Sequence, residues 1–180
     1  MSNGKSKGSD FERYCSKQLS IWLTGTERPY NFWRSPSSGG LATISELNQD
    51  LSGDIIGLTI EAKEICSIIS IEAKTGYPKT SFWQHFKDIK NFNIKLFWQQ
   101  CVNDANKKFP VLIYRKKGSK PIIGINLKMD KEINKSVNLN ILNSLIVGFK
   151  EDEDLPLLKL YDMEDFLDNV KPEIIKKLKL

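Results

Sequence analysis

Apolar residues recur along this chain with two periods, one typical of helices and one typical of strands. Between Ser9 and Leu23 an apolar residue returns every three or four positions, which predicts a helix that Ser9 caps. The same period over residues 94–105 predicts a second helix, and a third is expected to begin around Met163. Short apolar runs bounded by Gly, Pro and Ser predict strands. The predicted strands lie at residues 53–59, 66–74, 110–115, 121–125, 145–149 and 157–161.

The order of these elements predicts an α/β fold. The first helix is followed by a Gly-, Pro- and Ser-rich loop over residues 24–40, then two strands, a helix and two more strands. This order predicts a mixed central β-sheet flanked by helices on both sides. A length of 180 residues suits one domain. We interpret residues 1–8 as a flexible basic arm, residues 9–125 as the core, and residues 126–180 as a C-terminal elaboration of the same domain.

The composition argues against several classes of protein. No apolar stretch approaches the roughly 20 residues of a membrane span, and no apolar segment typical of a secretory signal lies near the N-terminus. We therefore expect no membrane partner and a cytoplasmic location. The three scattered cysteines lack CxxC spacing and are expected to be reduced, buried thiols. A single histidine, His85, excludes histidine-based metal clusters and serine–histidine catalysis.

The charge of the chain is weak evidence for a polyanionic partner. The formal net charge is +5 at pH 7, with a pI of about 9.0. Basic residues gather near the N-terminus and around a turn at residues 115–120, whereas an acidic cluster occupies residues 151–154. Many basic proteins bind no polyanion, so a nucleic acid becomes the expected partner only together with a site for its chemistry.

Two carboxylates and a lysine form the candidate site. Asp54 begins one apolar run, and Glu72 and Lys74 end the next. Side chains alternate between the faces of a strand, so Glu72 and Lys74 point the same way, and a hairpin of the two strands would bring Asp54 beside them. Two carboxylates can hold one or two hard divalent cations, and the ammonium can position or deprotonate a water. A lone Glu-x-Lys triplet is more often a solvated ion pair at a strand end.

The chain contains the same triplet a second time, at Glu61-Ala62-Lys63. In a continuous strand Glu61 would face away from Asp54 and lie roughly 23 Å from it, at about 3.3 Å per residue. We interpret residues 61–64 as the exposed connection between the two strands. Glu72 is therefore the better partner for Asp54.

Two further polar residues have competing interpretations. Glu12 is the third residue after Ser9, so its carboxylate could complete a capping box. It also lies beside the apolar face of the first helix and could reach over the sheet. Gln100 borders the apolar stripe of the second helix and could approach the sheet end, whereas Gln99 is expected to be more solvated.

With these pieces in order, the chain resembles a known superfamily over residues 7–125. The segments that carry the resemblance are residues 7–13, 34–40, 53–56, 71–75, 97–105 and 110–115. Together they resemble the PD-(D/E)XK nuclease superfamily, and more narrowly its archaeal and phage Holliday junction resolvases. The resemblance implies a restriction-endonuclease-like core. The chain departs from the superfamily pattern at Gly53, where the name of the superfamily expects proline; that position only sets up the strand.

The resemblance also implies a role for each matched residue. Asp54, Glu72 and the Ala73 carbonyl would bind Mg²⁺, for which Mn²⁺ could substitute, and Glu12 would complete the metal shell through water. Lys74 would orient the attacking water, and Gln100 would support the site. The partners would be DNA, including branched DNA, and a second copy of the chain in a homodimer, inside a bacterium or a phage-infected host cell. The residues expected to contact DNA are Lys7, Ser9, Arg34, Ser35, Ser38 and Lys79.

The sequence leaves three functions open. The favoured one is a Mg²⁺-dependent DNA endonuclease selective for structure, similar to a Holliday junction resolvase. A restriction- or nicking-type endonuclease on duplex DNA is the alternative within catalysis. A non-catalytic DNA-binding protein with the nuclease fold is the alternative from another class, and such proteins usually lack one of the acids or the lysine.

Overall fold

The structure is a computed structural model that describes five segments of the chain. Within them, no helix is long and apolar enough to cross a membrane. All three cysteines are buried free thiols, as predicted. The described segments are residues 4–28, 30–35, 52–76, 93–149 and 152–179, with side chains described from residue 8 onward.

Within the described segments, seven strands form one mixed sheet in the order β1-β2-β3-β4-β5-β7-β6. β3 and β4 run parallel at its centre, and the other neighbouring pairs are antiparallel. The carboxyl ends of β3 and β4 therefore meet at one edge of the sheet. The strands are β1 (Phe32–Arg34), β2 (Ile55–Gly57), β3 (Ile69–Gly76), β4 (Phe109–Lys116), β5 (Ile122–Asn126), β6 (Ser144–Val147) and β7 (Leu158–Asp162).

Helices cover both faces of the sheet. The α-helices of the described segments are α1 (Gly4–Thr24), α2 (Ile60–Ile68), α3 (Asn93–Asp104), α4 (Leu127–Ile133), α5 (Met163–Asn169) and α6 (Pro172–Lys176).

Alternation along the central strands divides the core into two. On β4, Val111 and Ile113 pack in the larger cluster with α1, α2 and α4. Leu112 and Tyr114 point to the opposite face, where they pack with Phe97 and other apolar residues of α3. Each cluster thus covers one face of the sheet, which is the layered arrangement predicted from the order of elements. The predicted α/β fold is confirmed and is consistent with a restriction-endonuclease-like core.

The predicted helix start at Ser9 is wrong. α1 begins at Gly4, so Ser9 lies within the helix and cannot cap it. Residues 4–8 are helical and do not form an arm separate from the core helix. Apolar periodicity marks only the part of a helix that packs against the core. Lys5 and Lys7 are good helix formers but are not apolar, so they add nothing to that periodicity.

Two other predictions between residues 24 and 74 need correction. Residues 61–64 do connect the two strands, and three of the four are exposed as predicted, but they belong to helix α2, where Ala62, Ile65 and Cys66 are buried at helical spacing and Thr59 is the N-cap. The strands flanking this helix are consequently shorter than predicted, although β2 and β3 do pair antiparallel. The predicted loop over residues 24–40 contains β1, whose three residues are too few to show a period. Strands β4 to β7 and helices α3 and α5 lie where the sequence predicted them, within a few residues.

Candidate active site

β3 carries Glu72 and Lys74 on the face of the sheet that α3 covers. Their neighbours Ile71 and Ala73 are buried in the opposite core, so alternation fixes the direction of both polar side chains. The Lys74 ammonium donates a hydrogen bond to Glu72 Oε1. The same Nζ atom lies 3.5 Å from Asp54 Oδ2, which joins the two carboxylates through one cation.

Backbone hydrogen bonds to β3 fix Asp54 immediately before β2. Its own N–H donates to the Ile71 carbonyl at 2.8 Å, and its Oδ2 accepts from the Ala73 N–H at 3.0 Å. Both Asp54 and Glu72 are more than nine-tenths buried. The backbone therefore places the two carboxylates side by side in spite of their mutual repulsion.

Gly53 explains why this chain lacks the proline of the superfamily pattern. Its φ is +86°, a value that proline cannot adopt. A Cβ atom at this position would lie 2.5 Å from the carbonyl oxygen of Ile71, with which Gly53 forms a β-bridge. Glycine thus permits the close approach that brings Asp54 onto β3, a larger role than the sequence suggested.

Burial and repulsion raise the pKa of the Glu72 carboxyl to about 7. Burial disfavours the charged form most, the Asp54 carboxylate adds to this effect, and the Lys74 ammonium opposes it. Asp104, four residues after Gln100 on α3, raises the pKa further. No role was predicted for Asp104; its helical spacing from Gln100 was the available signal. When both carboxyl groups are ionised, two carboxylates face one ammonium, and the uncompensated negative charge favours binding of a further cation.

Gln100 reaches the site from α3, as predicted. Its side-chain Nε2 donates to Glu72 Oε1 at 2.9 Å. The expectation that Gln99 is the more solvated of the two is wrong, because Gln100 is exposed and Gln99 is half-buried. The apolar face of α3 is anchored by buried Trp98, whose ring N–H donates to the Pro156 carbonyl at 2.7 Å. Gln100 thus projects from a fixed helix to the rim of the site.

Glu12 lies on α1, and its carboxylate bonds Arg34 of β1. Arg34 Nε donates to Glu12 Oε2 at 2.9 Å. The capping-box interpretation of Glu12 fails, since Ser9 lies within the helix. Arg34 is tied to the site through the backbone, where the Ser35 N–H donates to the Asp54 carbonyl at 2.7 Å. Separate roles were predicted for Glu12 and Arg34, and their pairing was not predicted.

The other predicted DNA contacts are placed unevenly. Ser35 is fully buried, so its side chain presents no surface to a partner in this structure. Ser9 is partly exposed on α1, and Lys7 lies in the same helix without a described side chain. Ser38 and Lys79 lie outside the described residues. Contact with DNA by any of these residues stays a prediction.

The second triplet lies away from the site. Glu61 and Lys63 are exposed on α2, on the opposite face of the sheet from α3. The expectation that they are surface residues is therefore confirmed, and they provide matched controls for Glu72 and Lys74.

The residues present fit a divalent cation held by few protein ligands. Among residues 4–28, 30–35, 52–76, 93–149 and 152–179, no three acidic, cysteine or histidine side chains gather in one group. Glu12 therefore does not join Asp54 and Glu72 in the arrangement seen here. Mg²⁺ commonly binds one or two carboxylates and completes its shell with waters and substrate phosphates. Two adjacent, buried carboxylates with excess negative charge suit that mode.

Comparison with known proteins identifies the family of this chain. No curated protein and no solved structure matches it. The model of the family described as "Phage putative PDDEXK endonuclease" matches residues 3–177, which include Asp54, Glu72 and Lys74. This match confirms the superfamily resemblance and supports a nuclease; it does not address the resolvase branch. The chain belongs to the phage PDDEXK endonuclease family.

Proposed function

We propose that this protein is a Mg²⁺-dependent endonuclease that hydrolyses phosphodiester bonds in DNA. The observation that carries the proposal is the contact between Lys74 and both buried carboxylates at one sheet edge. A cross-strand ion pair at a solvated strand end would not explain two carboxylates more than nine-tenths buried side by side. Family membership supports the same chemistry.

Each residue of the site has a role that its contacts support. When bound, a divalent cation supplies Lewis-acid activation of the phosphodiester. Asp54 and Glu72 would hold it, and the Ala73 N–H keeps the Asp54 carboxylate in place. Lys74 would turn its ammonium towards the phosphate and the attacking water, stabilising the negative charge that develops there. Gln100 would orient Glu72 through the hydrogen bond already formed.

We further propose that the enzyme selects branched DNA and acts as a homodimer. Resolution of a four-way junction requires two symmetric nicks, and a twofold dimer is the simplest way to place two active sites. Among the described residues, the strands form one sheet with flanking helices and no separate target-recognition domain is present, which favours recognition of shape over recognition of base sequence.

A cleavage assay tests the proposed function. Labelled four-way junction, flap, linear duplex and single-stranded DNA are incubated with protein across a Mg²⁺ titration and with a chelator. We expect cleavage only with the metal, fastest on the junction, with two symmetric cuts. Equal cleavage of linear duplex by a monomer would replace the resolvase proposal with the nicking alternative.

Paired variants locate the activity in the structure. Lys74→Ala should remove most cleavage, because its ammonium contacts both carboxylates. Lys63→Ala, at the same position of the second triplet, should cleave like the unaltered protein because Lys63 is exposed on α2. Equal loss in both variants would mean that the site lies elsewhere.

A further inference from the structure

Lys116, at the carboxyl end of β4, lies beside the candidate active site. β3 and β4 are parallel and in register, with Lys74 opposite Tyr114 and Gly76 opposite Lys116. Tyr114 packs on the α3 face of the sheet, and Lys116 follows it by two residues, so both share the face of Lys74. Strands are about 4.8 Å apart and rise about 3.3 Å per residue, so the Cα atoms of Lys74 and Lys116 are roughly 8 Å apart.

The backbone around Lys116 is held by a tight turn between β4 and β5. The Lys116 carbonyl accepts hydrogen bonds from the Ser119 N–H at 3.1 Å and the Ser119 hydroxyl at 2.8 Å. Gly118 permits the reversal with a φ of +80°. On the β3 side, the Thr75 hydroxyl donates to the Arg115 carbonyl at 3.1 Å. The position from which the Lys116 side chain extends is therefore fixed.

Three of the four basic residues of this turn differ in their contacts, and the fourth, Lys117, is exposed just after β4 ends. The Arg115 guanidinium lies over the rings of Phe11 and Tyr14, with its Cζ atom 4.5 and 5.2 Å from their centroids, and so fastens the strand end to α1. Lys120 donates a hydrogen bond to the Glu164 carboxylate at 3.1 Å, in an ion pair whose side chains are both exposed. Lys116 is exposed, and no carboxylate among the described residues pairs with it.

We propose that Lys116 binds a DNA phosphate close to the bond that is cut. The proposal rests on the proposed nuclease function and adds to it a surface that guides the strand into the site. The backbone of a DNA strand winds around the helix axis, so neighbouring phosphates lie farther apart in space than the ~3.4 Å axial rise, and a separation of roughly 8 Å is on the order of one phosphate step from the phosphate at Lys74. An unpaired ammonium at this spacing adds affinity without reading base sequence.

The test compares Lys116→Ala with Lys120→Ala, a lysine of the same turn that already has an acidic partner. Binding of labelled four-way junction and duplex is measured in chelator, which separates affinity from cleavage. We expect Lys116→Ala to bind several-fold more weakly, with the slope of log affinity against log salt less steep by about 0.9. The ratio of the affinity of the unaltered protein to that of Lys116→Ala should then fall about 3.5-fold between 50 and 200 mM salt. Lys120→Ala should match the unaltered protein, and Lys116→Arg should restore affinity and slope.

Cleavage kinetics give a second readout in the presence of Mg²⁺. Lys116→Ala should raise KM and leave kcat nearly unchanged, because the contact is made equally in ground and transition states. If Lys116→Ala keeps the affinity and salt slope of the unaltered protein, the inference is overturned even where cleavage is intact. If Lys116→Ala binds DNA more weakly but neither it nor the unaltered protein cleaves DNA, the DNA-binding role of Lys116 stands and the nuclease proposal is overturned. Absence of DNA binding by the unaltered protein would overturn both.

Discussion

Replacing Glu72 with glutamine should stabilise the metal-free protein at alkaline pH. Burial and the Asp54 carboxylate raise the pKa of Glu72 to about 7, against an ordinary value of 4.5. The folded protein thus keeps a proton that the unfolded chain releases, so stability falls as the pH rises from about 4.5 to about 7. Glutamine has nearly the shape of the protonated acid and cannot ionise, so the variant does not suffer this loss.

The size of the effect follows from the pKa. At roughly 1.4 kcal/mol per pH unit, a pKa of about 7 corresponds to about 3 kcal/mol of lost stability. This value already includes the stabilising effect of the Lys74 ammonium, because that ammonium lowers the same pKa. Burial lowers the pKa of Lys74, but the carboxylates of Glu72 and Asp54 together outweigh it and raise that pKa above its usual value, so Lys74 does not titrate in this window.

The assay is denaturant or thermal unfolding in chelator at pH 5 and pH 8. The stability gain of Glu72→Gln over the unaltered protein should be larger at pH 8 by about 2–3 kcal/mol, or roughly 5–10 °C for a domain of this size. Comparing the two pH values cancels effects of glutamine that do not depend on pH. Glu61→Gln, an exposed residue on α2, should show no such difference. A gain that is equal at both pH values, or larger at pH 5, would refute the argument from burial and repulsion.

Three further predictions follow from contacts around the site. Glu12→Gln keeps a hydrogen-bond acceptor for Arg34 but loses the charge, so stability should stay within about 1 kcal/mol while cleavage falls about tenfold or more; unchanged cleavage would give Glu12 a purely structural role. Gln100→Ala should lower cleavage about tenfold by releasing Glu72, whereas Gln99→Ala should leave the rate unchanged. Gly53→Ala should destabilise the protein by more than Gly118→Ala in an unfolding experiment: both have positive φ, worth about 1 kcal/mol or more, but only at Gly53 would a Cβ meet backbone.

The sequence predicted the part of the site that depends on strand alternation. Glu72 and Lys74 lie two residues apart on one strand, and this spacing alone places them on one face. The pairing of β2 with β3 brought Asp54 to them as expected, and the connection between the strands is helix α2. Local pattern and the short-range order of elements were sufficient for these residues.

Features that depend on contacts between distant segments escaped the sequence analysis. Arg34 pairs with Glu12 across 22 positions, and neither residue carries a local signal of that contact. The φ of Gly53 is set by its close approach to Ile71, which no periodicity reports. Lys116 and Lys120 look alike in a basic turn; only the packing of α5 against β5 gives Lys120 an acidic neighbour.

The most direct test of the central claim is to measure whether a divalent ion binds at Asp54 and Glu72. Mn²⁺ serves as a paramagnetic substitute for Mg²⁺, and the free ion is measured by electron paramagnetic resonance during titration of the protein. The unaltered protein and Glu61→Gln should each bind Mn²⁺ with the same affinity, and Asp54→Asn and Glu72→Gln should each lose that binding. Undiminished Mn²⁺ binding in both Asp54→Asn and Glu72→Gln would contradict the account.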